Sequence, residues 1–230
     1  AATRREIVGG PLVPDEVEKL AKALVGSDPD AGFLMIEDMR DAGTSLEDIY
    51  LVYLAAAAQR LGDWWQTSQV SFAQVTIGTS RIYGILRGLD DIRRTAQRRA
   101  DRSAVFATVP GETHTLGISM AADLFRNRGW KIDLLLGLSH DELLEKVEHT
   151  SHLIIGLSAS SEQVLAALAR LVVAIRIHRP DMRIFISGSA VEHCGDIVEA
   201  MSPDGMASDF ETAVKIMEEL WHYGEHPARQ

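Results

Sequence analysis

Ala104-Val105-Phe106-Ala107-Thr108-Val109-Pro110-Gly111 marks a change of period in a chain of 230 residues. Upstream of it, apolar residues recur at helical spacing; here they run almost without a break and stop at a Pro-Gly turn, which reads as a strand with both faces covered. Downstream, strand and helix alternate. Ala104–Val109, Trp130–Leu136, Leu153–Leu157, Arg183–Ile186 and the minimal Met206-Ala207 are predicted as strands. Helices are predicted over Leu116–Arg128, Ser139–Glu148, Ser161–His178, His193–Ala200 and Asp209–Trp221. The pattern predicts an α/β unit, a Rossmann-like (flavodoxin-like) five-stranded parallel sheet with helices on both faces.

Up to about Thr95 the reading is helical throughout. Pro14 opens a first helix that Gly26 closes, Pro at the start and Gly past the end being a physically based pair. Asp28-Pro29 begins a second helix, ending near Gly43. Thr44, with Glu47 three residues on, is predicted to cap a third in a capping box. A fourth runs from Ser71 through Ile92, after Gly62-Asp63-Trp64-Trp65. Four helices on short connections predict an N-terminal four-helix bundle over 1–95. The Arg-rich stretch 96–102 is read as a basic linker, a phosphate-binding strip being the alternative, and 103–230 as the sheet domain. The tail after Tyr223 is expected to fray.

Composition narrows the function. With 23 Lys+Arg against 33 Asp+Glu the net charge is −10, which argues against a broad basic surface for nucleic acid. One cysteine, Cys194, excludes a disulfide framework and suits a reducing compartment. No apolar run reaches the roughly 18–20 residues of a membrane span, and no signal-peptide layout is visible, so a cytoplasmic protein is expected.

Ligands of open α/β sheets bind beyond the carboxyl ends of the strands. There the first loop carries Glu112, Thr113, His114 and Gly117. Imidazole is a good transition-metal ligand, and a nearby carboxylate fixes which nitrogen is free. The third loop carries Ser158, Ser160 and Ser161, the fourth Ser187, Gly188 and Ser189. Small residues here leave a slot, or merely make tight turns; a loop histidine is a ligand, or an ordinary polar residue. His193-Cys194 lacks the further cysteines of a zinc site. No GxGxxG or Walker pattern is present.

Glu112-x-His114-x-x-Gly117 resembles the E/D-x-H-x-x-G motif of cobalamin-binding domains. The resemblance implies that His114 is the lower cobalt ligand, and that a displaced nucleotide tail enters a slot. Ser158-Ala159-Ser160 stands for the family's S-x-L, and Gly188-Ser189 for its Gly-Gly. The helical cap is similar to that of CarH-type photoreceptors: Leu61-Gly62-Asp63-Trp64-Trp65 fits, and Trp65 is then the residue over the upper cofactor face. The photoreceptors' Glu-His pair falls at Val75-Thr76, so their upper histidine is missing and their histidine-based light switch cannot operate.

Ala57–Ile77, Leu135–Leu143 and Ile155–Ser158 together resemble the AerR/PpaA group. Members of that group are antirepressors acting on PpsR/CrtJ-type repressors of photosynthesis genes, and related SCHIC modules bind haem. The resemblance implies a cobalamin-dependent, non-enzymatic regulator that answers to light or ligand. Its expected cofactor residues are Trp65, Phe72, Val75, Thr76, Glu112, Thr113, His114, Gly117, Ser158, Ser160, Gly188 and Ser189, with His114 on the metal. A corrinoid protein of a methyltransferase system, and a haem sensor in which His140 is a candidate ligand, stay open as alternatives. The cobalamin form and the oligomeric state stay open too.

Overall fold

In the computed structural model residues 14–93 and 102–225 are described. They fall into two compact units, one within Ala1–Thr95 and one within Ala96–Gln230.

The first unit is helical: α1 (Pro14–Val25), α2 (Ala31–Asp41), α3 (Leu46–Asp48) and α5 (Phe72–Arg93), with α3 running through a π-helical stretch, Ile49–Leu54, into α4 (Ala55–Gln66). Leu20, Leu24, Ile36, Tyr50, Leu54, Leu61, Ile82 and Ile85 are its buried heart. Ala57 is fully buried, and a Cβ on Gly78 would lie 2.6 Å from Leu61, so α4 and α5 approach closely there. Arg81 closes the end of α1 by donating from Nη1 to the carbonyls of Ala23, Leu24 and Gly26.

Three expectations need correction in this unit. The second helix starts at Ala31, after Asp28 has accepted the Asp30 amide in a turn. The third is capped by Ser45, whose Oγ accepts the Asp48 amide at 3.0 Å, and not by Thr44 with Glu47. Gly62-Asp63-Trp64-Trp65 does not separate two helices but lies inside α4.

The second unit is a five-stranded, all-parallel sheet: β1 (Arg102–Thr108), β2 (Trp130–Leu135), β3 (Ile154–Ser158), β4 (Arg183–Ser187) and β5 (Gly205–Ala207), in the order β2-β1-β3-β4-β5. Its helices are α6 (Leu116–Asn127), α7 (His140–His149), α8 (Leu165–His178), α9 (Ser189–His193), α10 (Gly195–Ala200) and α11 (Phe210–Glu225). Because side chains alternate along a strand, Val105 and Ala107 join a core with α7, α8 and α10, while Ala104 and Phe106 join another with α6 and α11. That double burial is why β1, β3 and β4 read as apolar runs, while the outer β2 alternates buried and exposed residues from Trp130 to Asp133. On the second face Phe125 meets Phe106 and Trp130 edge-on, at 5.2 and 5.8 Å.

Arg102, assigned to the linker by sequence, opens β1, where it bonds Glu218 and the Arg128 carbonyl. Residues 94–101, which include the rest of that stretch, lie outside the described residues. The single helix expected over His193–Ala200 is two short ones, broken at Cys194. Helix α11 continues to Glu225, past the point at which fraying is expected, and residues 226–230 are not described. No helix among the described residues is long and apolar enough to cross a membrane.

Strand order reverses direction between β1 and β3. The chain leaves β1 toward α6 on one face and β3 toward α8 on the other, so the loops diverge and leave a crevice above the sheet.

Candidate functional site

The crevice is lined by the loops after β1, β3 and β4, and one carboxylate organises it. Glu112 has a side chain only 2% exposed. Its Oε1 accepts from the His114 amide and from His114 Nδ1, both at 2.8 Å. Its Oε2 accepts from the Ser160 amide at 2.8 Å and the Ser160 hydroxyl at 2.6 Å. Burial works to raise the Glu112 pKa, but these bonds from Ser160 and His114 outweigh it and hold the carboxyl at about 2.

An ionised carboxylate accepts only, so the 2.8 Å contact places a proton on His114 Nδ1. Ser160 Oγ, 2.9 Å from the same nitrogen, donates to Glu112 and can accept from the ring. Nε2 is then the nitrogen with the free lone pair, on a side chain 75% exposed. The arrangement is that of a histidine oriented for a metal by a carboxylate behind it.

The other expected residues surround this group. Gly117 lies in the first turn of α6, and a Cβ there would meet nothing within 4 Å, so packing within the protein does not demand a glycine. Thr113 is exposed beside it. Ser158 ends β3 and is buried. Gly188 has φ +106°, and a Cβ on it would stand 2.2 Å from the Ala159 carbonyl oxygen. The β3 and β4 loops are stitched there: Ala159 N donates to Ser187 O, Ala190 N to Ala159 O, and Ser189 Oγ to Ser160 O at 2.8 Å. Thus Glu112, His114, Ser160, Gly188 and Ser189 are one assembly.

Trp65, Phe72, Val75 and Thr76 belong to the helical unit. Trp65 and Phe72 are 52% and 72% exposed, with ring centroids 6.4 Å apart, while the neighbouring Trp64 is buried. Thr76 is exposed and its hydroxyl donates to the Phe72 carbonyl; Val75 is half-buried. They form an apolar patch on that unit.

What the sequence did not reveal is the position of Ser160 between Glu112 and His114. Its signal was the departure from S-x-L, which puts a hydroxyl where the family has an apolar side chain. Among the other described histidines, buried His152 bonds Asp133 through Nε2, His178 pairs with Glu148, and the Nδ1 atoms of His149 and His193 bond the Glu145 and Ser189 carbonyls. His140 is half-buried at the start of α7, behind the capping box of Ser139 and Glu142. No cluster of three or more metal-ligating side chains exists among the described residues. A metal held here therefore brings most of its own ligands, as a corrin does.

Residues 102–214 match the model of the B12 binding domain. This part of the chain is similar to B12-binding domains. A relative, the uncharacterized 20.5 kDa protein of the bchF-crtJ intergenic region of Rhodobacter capsulatus, is 27% identical over 186 residues, 79% of this chain and 96% of that protein. The monomethylamine corrinoid protein of Methanosarcina barkeri superposes with a TM-score of 0.75 at 16% identity, covering 90% of this chain and 100% of that one. At that identity the likeness concerns the fold. A cobalamin-binding protein of Desulfitobacterium hafniense gives a TM-score of 0.49 at 18% identity, over 88% of this chain and 97% of its own. The residues of this unit fit a cobalamin: a histidine with one nitrogen fixed and one free, beside a glycine that packing does not explain.

Proposed function

We propose that this chain is a cobalamin-dependent regulator, an antirepressor acting on a PpsR/CrtJ-type repressor of photosynthesis genes, and not an enzyme. The observation that carries the cofactor assignment is the Glu112–His114 hydrogen bond, which leaves Nε2 as the outward donor. The regulatory reading is supported by the relative whose gene lies between bchF and crtJ. A net charge of −10 suits a protein target better than DNA.

Bound cobalamin would be held through His114 and would supply a cobalt ion with an exchangeable, light-sensitive ligand. The chain's own residues do the rest. Glu112 fixes the tautomer and direction of the His114 ring, Ser160 holds Glu112, and Ser189 holds the Ser160 peptide. Gly117 keeps the start of α6 clear, and Trp65 with Phe72 offers an apolar surface suited to a corrin ring. Signalling requires that cofactor binding favour one arrangement of the protein over another.

The test combines a spectrum with a partner assay. Purified protein given cobalamin in the dark should shift the cofactor's visible bands, and His114→Ala should abolish the shift. The loaded protein should release a PpsR/CrtJ-type repressor from its operator, and the variant should not. Normal cobalamin spectra with His114→Ala would sink the ligand assignment. Methyl transfer from a methyltransferase partner, with no effect on the repressor, would replace the regulator by the corrinoid-protein reading. A positive pyridine haemochrome test would replace cobalamin by haem.

A further inference from the structure

Helix α8 is built to be covered on two sides. Leu165, Leu168, Leu171, Val172 and Ile175 face the sheet and are buried. A helix that only covers a sheet carries polar residues opposite its apolar stripe. Here the outward line is Ala166, Arg170, Val173 and Ile177, spaced four, three and four, the spacing of a helix–helix seam. Val173 is 58% and Ile177 70% exposed. Ala167, Ala169 and Ala174 flank the line with small side chains that permit close approach.

Charge says what covers it. Arg170 bonds only the Ala166 carbonyl and meets no carboxylate among the described residues. Helix α7, packed beside α8, presents Asp141 and Glu145 to solvent, and neither has a cation partner among the described residues. A fitting occupant must therefore bring an apolar line, a carboxylate for Arg170 and a cation for the α7 ridge. This surface itself brings all three, and such self-complementarity is what a two-fold contact requires.

We infer that the α8 face, with the adjoining ridge of α7, is the contact between two copies of this chain. An antiparallel pairing with its two-fold between Arg170 and Val173 seats Ile177 over Ala166 of the partner subunit, large against small. In that pairing Glu145 of the partner subunit is the carboxylate assigned to Arg170.

Sedimentation of the full chain tests this without reference to the cofactor. The wild-type chain should run at twice its 25.3 kDa mass. Ile177→Glu and Val173→Lys, at positions exposed in the single chain, should keep the fold by circular dichroism and raise the dimer dissociation constant roughly a hundredfold, each change counting twice across a two-fold. Arg170→Glu should weaken the dimer, and adding Glu145→Arg should restore it. A wild-type chain that stays at one chain mass, the face then being free or meant for a different protein, would overturn the inference. So would a dimer indifferent to Ile177→Glu, and failure of the charge exchange would remove Arg170 and Glu145 from the contact.

Discussion

Ser160 sets its hydroxyl 2.6 Å from Glu112 Oε2, joining two loops whose residues stand 48 apart in sequence. The carboxylate between them is held by neutral hydrogen-bond donors and the histidine, with no lysine or arginine among its partners.

The first prediction concerns acid. The Glu112 carboxyl sits at about 2 against an ordinary 4.5, so the unfolded chain takes up this proton first as pH falls. Its stabilisation is complete above about pH 4.5 and is lost as pH falls through about 2, a contribution of roughly 3 kcal/mol. Urea unfolding should show about 2 kcal/mol of that loss in the wild-type chain between neutral pH and pH ~3. Glu112→Gln should be less stable at neutral pH by a similar amount, flat across that window, and about 10–100-fold weaker for cobalamin. A variant with the wild-type acid profile would show that Glu112 is not the buried anion.

Two glycines give a contrast. At Gly188 a side chain meets the Ala159 carbonyl and the backbone has positive φ, so Gly188→Ala should cost about 3 kcal/mol or more in urea unfolding. At Gly117 a Cβ meets nothing, and alanine suits a helix better, so Gly117→Ala should gain about 0.5–1 kcal/mol. The same change should weaken cobalamin binding, read by spectral titration. Unchanged affinity would mean that the cofactor does not approach the start of α6.

Adjacent tryptophans should separate stability from binding. Trp64 is buried in the helical unit, and Trp64→Ala should cost about 3–5 kcal/mol. Trp65 is exposed, and Trp65→Ala should cost less than about 1 kcal/mol. If Trp65 serves the cofactor, its removal should nevertheless alter the cobalamin spectrum or the affinity. Equal losses of stability in both variants would contradict their different burial.

Much of this was readable in the residues. The doubly apolar runs of β1, β3 and β4 placed those strands to within two residues, because parallel strands buried on both faces leave no alternation to misread. The Glu112–His114 pair was visible because both residues share one loop. Ser160 was not, since its partnership depends on β3 lying beside β1, which is a fact of sheet order. The choice of Ser45 over Thr44 was equally hidden: both carry a hydroxyl, and only the backbone turn decides which one meets the Asp48 amide. The π-helical stretch at Ile49–Leu54 leaves the apolar spacing on either side intact and so gave no sign. Trp64 and Trp65 differ only by the rotation between neighbours on a helix, and that places one inside and one out.

The margins of the sheet carry a last consequence. The outer strand β2 turns the charged side chains of Lys131 and Asp133 to solvent, and at the other margin β5 is three residues long. Neither offers a long, apolar template on which a foreign strand could lengthen the sheet. Crowded copies of this chain are thereby steered away from fibre-like growth, and association is left to its helices.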